Sequence, residues 1–81
     1  MFHVLILNSR IQASKKIIYQ GNSTSVLLPG NDGEFEILDF HKPILSKLKK
    51  GVILVDNGKE FPIQGGIVKM DRQSLVAFVD V

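Results

Sequence analysis

The stretch that decides the fold is Val52–Gln64, VILVDNGKEFPIQ. An aliphatic run from Val52 to Val55 meets Asp56-Asn57-Gly58, and a second short run follows through Phe61, Pro62 and Ile63. Asn and Gly accept positive φ. Asn57 and Gly58 are therefore expected at the central positions of a type I′ turn, whose twist matches that of a hairpin. Ile53 and Val55 then face one side together, as do Phe61 and Ile63. Pro62 has no N–H for a ladder, so its strand is expected at an edge or locally unpaired.

Working outward, Gly66–Val81 (GIVKMDRQSLVAFVDV) reads as a second hairpin. In its last strand Leu75, Ala77 and Val79 alternate with Val76 and Phe78. Both faces are apolar, which predicts a strand near the middle of a sandwich. Toward the amino terminus, turn residues recur at short spacing: Asn8-Ser9, Gly21-Asn22-Ser23, Pro29-Gly30 and Gly33. Short β-branched runs between such turns predict an all-β sandwich or barrel. Pro43–Lys50 stays open: Ile44, Leu45 and Leu48 fit a helical spacing, yet the stretch is short for a helix.

The chain has 81 residues, 44% of them hydrophobic, and no cysteine. One small domain over residues 1–81 is expected, with a thin aliphatic core and neither disulfides nor a thiolate metal site. The net charge of +2 is too mild for the dense basic stripe of a nucleic-acid binder. Apolar runs such as Val4–Leu7 are far shorter than the ~20 residues of a membrane helix. The amino terminus also lacks a signal peptide's basic start and long apolar run, so an intracellular, soluble domain is expected.

His41 lies near Asp39, Glu36 and Glu34, but His3 is remote and no zinc-ligand spacing occurs. Glu34 and Glu36 alternate with Phe35 and Ile37, the pattern of a strand with one wet face. Gly30-Asn31-Asp32-Gly33 has the letters of an RNA-clamping GXXG loop, yet Asp32 and Glu34 would repel phosphates. A plain β-turn, with Gly30 and Gly33 in unusual dihedrals, explains it better. Lys42, Lys47, Lys49 and Lys50 with Phe35 and Phe40 admit an OB-like nucleic-acid-binding barrel as the alternative. Against it, Phe35 sits between charged residues and is expected to point inward. In Asp39–Pro43 (DFHKP), proline pushes Lys42 to extended backbone, which makes a fixed irregular loop suited to protein contact.

Several elements in order along the chain resemble the epsilon subunit of bacterial F-type ATP synthases. They are Tyr19-Gln20-Gly21, Val26–Gly30, Gly33-Glu34-Phe35, His41-Lys42-Pro43-Ile44, Leu48-Lys49-Lys50-Gly51 and Gly65-Gly66-Ile67. The resemblance implies a flattened β-sandwich of about ten short strands. It implies a non-catalytic central-stalk subunit, docked on the gamma subunit and the c-ring, that couples proton translocation to ATP synthesis. It implies no cofactor, no metal and no nucleic acid, and membrane contact only through the complex, on the cytoplasmic face of the bacterial inner membrane. By position, Asn31, Asp32 and Glu34 match residues toward the c-ring. Phe40, His41 and Lys42 match the gamma-facing side. Many relatives have Gly at Glu36 and Pro-Gly at Asp39-Phe40, so the loop that aims His41 differs here. Relatives also continue into a two-helix carboxy-terminal hairpin. No helical domain is expected within residues 1–81, and hence neither ATP binding nor self-inhibition.

Overall fold

The computed structural model describes residues 1–9, 17–39 and 42–81. Among them the chain forms nine strands and no helix, against the ten or so expected. They are β1 (Phe2–Asn8), β2 (Ile17–Ser23), β3 (Ser25–Gly30), β4 (Gly33–Leu38), β5 (Ile44–Leu48), β6 (Gly51–Val55), β7 (Lys59–Ile63), β8 (Gly65–Asp71) and β9 (Ser74–Asp80). Hydrogen bonds link them in the order β2-β1-β9-β8-β5-β3-β6-β7, with β4 on the other edge of β3.

This path is one sheet curled on itself. Among the described residues the ladders of its two halves, β2-β1-β9-β8-β5 and β4-β3-β6-β7, join at the Gly30–Leu48 pair. The inward residues of both halves share one core that includes Phe2, Ile6, Leu28, Ile37, Ile53, Met70 and Leu75. The free ends of the path also meet: the rings of Tyr19 on β2 and Phe61 on β7 lie 5.3 Å apart. A sandwich of this kind buries alternate residues of every strand and leaves the rest to solvent. It is not the five-stranded closed barrel of the OB-like alternative. Phe35 packs against the core instead of offering its face to a base.

The deciding hairpin forms with its turn one residue earlier than expected. Positive φ falls on Asp56 (53°) and Asn57 (58°), not on Asn57 and Gly58. The Gly58 N–H closes the turn on the Val55 carbonyl at 3.1 Å. The cause is long-range. The Asp56 carboxylate accepts from the Thr24 N–H at 2.9 Å, the Ser25 N–H at 3.2 Å and the Thr24 hydroxyl at 3.2 Å. These bonds tie the hairpin to the β2–β3 corner and hold Asp56 in the left-handed region, which Asp tolerates. Strand β7, with Pro62, is an edge as expected.

The open segment resolves as strand β5. Ile44 and Leu48 turn toward the core, while Leu45 is 73% exposed. Helical spacing had counted Leu45 as inward, but pairing with β8 from Ile44–Met70 to Leu48–Gly66 imposes a period of two. Strand β9 does lie centrally, parallel to β1 and antiparallel to β8. Only its Leu75, Ala77 and Val79 face is buried, however, and Phe78 is 46% exposed. Curling leaves the outer face of that half uncovered.

Candidate docking surface

Antiparallel pairing runs from Ser25–Leu38 to Gly30–Gly33, leaving Asn31 and Asp32 as the connection between β3 and β4. Gly33 has φ +131°, a conformation that favours glycine. Gly30 serves differently from the expectation: no positive φ is found there, but there is no room for a side chain. A Cβ on Gly30 would lie 2.6 Å from the Gly33 carbonyl and 2.7 Å from the Phe35 ring. The base of the turn is clamped to β5: Asn31 N–H donates to the Lys47 carbonyl at 3.1 Å, and Lys49 N–H to the Pro29 carbonyl at 2.9 Å.

On this rigid base Asn31, Asp32 and Glu34 are brought together, all exposed. Phe35 and Ile37 go inward, alternating with Glu34 and Glu36, as strand periodicity requires. Glu34 and Glu36 therefore share the wet face of β4. Among the described residues no group of three or more His, Asp or Glu could hold a metal ion.

Phe40 and His41 lie outside the described residues, and Lys42 is exposed. Asp39, just past β4, accepts from the Met1 ammonium at 2.7 Å. Strand β4 has six residues, so at ~3.4 Å per residue its two ends are about 17 Å apart. The acidic turn marks one end of the β3–β4 ladder and Asp39 the other.

Electrostatic perturbation lies elsewhere. The Asp56 carboxyl is held below its ordinary range, first by the Thr24 N–H and further by the Ser25 N–H and Thr24 hydroxyl, against a smaller opposing effect of burial. That carboxylate is a structural clamp. Sequence reasoning also missed a cleft of about 570 Å³ at the β8–β9 turn, where His3, Lys69, Asp71, Arg72, Ser74 and Val76 converge. All but His3 come from the β8–β9 hairpin; His3 enters from β1, which no local window around that turn contains.

Residues 6–81 match the family model described as "ATP synthase, Delta/Epsilon chain, beta-sandwich domain". The chain belongs to this family. Relatives named ATP synthase epsilon chain include one from Campylobacter jejuni, 36% identical over 74 residues, covering 86% of this chain and 57% of the relative. Another, from Leptospira borgpetersenii, is 30% identical over 77 residues, covering 91% of this chain and 61% of the relative. The chain thus spans well under two thirds of the length of these epsilon chains. Among solved structures, the fold matches a chain in the central stalk/c-ring of the Tetrahymena thermophila mitochondrial ATP synthase, with TM-score 0.77 and 14% identity. That match covers 98% of this chain and 63% of the other. A chain in the Euglena gracilis mitochondrial ATP synthase matches with TM-score 0.74 and 19% identity, over 98% of this chain and 51% of the other. The delta/epsilon sandwich is therefore the fold that carries the acidic turn.

Proposed function

We propose that this sandwich is the rotor-stalk module of an F-type ATP synthase, on the cytoplasmic side of a bacterial membrane. It is non-catalytic: it docks on the gamma subunit and on the c-ring and makes them turn together. The observation that carries this reading is the two-ended β3–β4 ladder. Asn31, Asp32 and Glu34 project at one end, and Asp39 lies at the other. Family membership and the relatives' names support the same assembly.

Asn31, Asp32 and Glu34 face the polar loops of the ring, where an acidic turn meets basic or amide groups. Such complementarity fixes register and partner choice more than raw affinity. Phe40, His41 and Lys42 face gamma. The backbone clamps at Asn31 and Lys49 let the turn transmit torque without folding back. Glu34→Lys, at an exposed position, is expected to leave the fold intact and to weaken ring attachment by about tenfold, the effect of ~1.4 kcal/mol. Circular dichroism checks the first and sedimentation with ring-containing membranes the second. Unchanged attachment would remove Glu34 from the interface. For the reading as a whole, purified chain and gamma are expected to co-elute at micromolar concentration, and separate elution would overturn it.

A further inference from the structure

Arg72 breaks a local rule at the cleft beside the β8–β9 turn. Asp71 pairs with Ser74, so Arg72 and Gln73 are the two residues of the loop. Arg72 has φ 56°, and Gln73 has no positive φ. Positive φ at the first loop position alone is the requirement of a type II′ turn, where glycine is usual. An arginine stands there instead. Backbone held in this region by a long side chain costs stability, and such positions gather at ligand sites.

Around Arg72 stand polar groups from β1, β8 and β9. The His3 N–H donates to the Gln73 carbonyl at 2.7 Å, which fixes β1 to the turn. In register, His3 lies beside Ser74, and Lys69 pairs with Val76 one row further on. These residues line the cleft, whose volume of about 570 Å³ lies in the ~300–1,000 Å³ range of small-molecule sites. Among the described residues neither Lys69 nor Arg72 is held in an ion pair. The donors are the two cations, the His3 ring, the Ser74 hydroxyl and the Gln73 amide. Asp71 is the one carboxylate in the lining.

We infer that this cleft binds a phosphate group carried on a hydroxyl-bearing body, either a soluble sugar phosphate or the glycerol phosphate of a lipid headgroup. A guanidinium fork and a lysine ammonium suit the oxygens of a phosphate. Asp71 repels a bare phosphate but accepts hydrogen bonds from hydroxyl groups, so it selects the ester over the inorganic ion. The cleft is also larger than a lone phosphate needs. It shares no residue with Asn31, Asp32 and Glu34 or with Phe40, His41 and Lys42, and so stands apart from the rotor-stalk reading.

The test is a nuclear magnetic resonance titration of the full chain with ribose 5-phosphate, inorganic phosphate and ribose, beside sedimentation with phosphatidylglycerol vesicles. Ribose 5-phosphate is expected to bind in the millimolar range, to move the amides of residues 69–76, and to bind more tightly than inorganic phosphate. Ribose alone should not bind. Arg72→Gly suits the turn, so it is expected to keep or raise the melting temperature while weakening binding about tenfold. Lys69→Gln should weaken binding to a similar degree, and Asp71→Asn should abolish the preference for the ester. Binding of ribose 5-phosphate without vesicles assigns the soluble source. Sedimentation with vesicles that Arg72→Gly abolishes, without binding of ribose 5-phosphate, assigns the lipid headgroup. Failure of the unmodified chain to bind either, or equal binding by Arg72→Gly, would overturn the inference. A lower melting temperature in Arg72→Gly would make the arginine a structural part of the turn and overturn it too.

Discussion

Asp56 shows how much one side chain fixes. It starts the turn of the deciding hairpin and binds the corner where β2 passes into β3, 32 residues away. Because folding holds its carboxyl below the ordinary value of 3.8, folding favours the ionised form. Its contribution is full above that value and is lost as pH falls through the lower folded-state pKa. Asp56→Ala is therefore expected to lower the melting temperature at neutral pH, with the difference from the unmodified chain shrinking in strong acid. Thermal unfolding across pH measures it; an equal deficit at all pH values would count against the carboxylate clamp. Gly66 is fixed by space: a Cβ there would stand 2.3 Å from the Phe78 carbonyl oxygen. Gly66→Ala must push β8 from β9, at a cost of about 1–3 kcal/mol, the range for overpacking. Urea unfolding reads that cost, and a value near zero would contradict the close approach.

At the scale of elements, local signals were legible and long-range ones were not. Pro62 marked an edge strand because a missing N–H is a local property. The Asn31-Asp32 turn was plain because Gly33 supplies its dihedral within the turn itself. Helix and strand stayed open for Ile44–Leu48 because only pairing with β8 decides between them. Asp56 displaced the turn because its partners are Thr24 and Ser25, which no window around Asn57 contains. Of the candidate site, the acidic turn could be read from sequence. The cleft at the β8–β9 turn could not, since His3 reaches it from β1, at the opposite end of the chain. The Tyr19–Phe61 contact closes the open ends of the curled sheet. Phe61→Ala should loosen that closure, raising hydrogen exchange in β2 and β7 well before β8 and β9. Uniform change across the sheet would show that the two ends do not form a separate closure.

For the whole molecule, one aliphatic core holds two halves whose ladders join, among the described residues, at one backbone pair. Ile53 is fully buried in that core. Ile53→Ala is expected to cost about 2–5 kcal/mol, a large part of the ~5–15 kcal/mol that keeps a domain folded. Chemical denaturation checks it, and a loss under ~1 kcal/mol would mean that the halves do not share their packing. A block this well tied can hold the acidic turn at one end of a ladder and Asp39 at the other, and in the proposed function these two ends grip ring and gamma. That two-ended grip is tested most directly by assembling the chain with gamma and detergent-solubilised c-ring and weighing the complexes. The unmodified chain should bridge both, while Glu34→Lys should stay on gamma and lose the ring. A variant that keeps the ring, or a native chain that binds only one of the two, would contradict it.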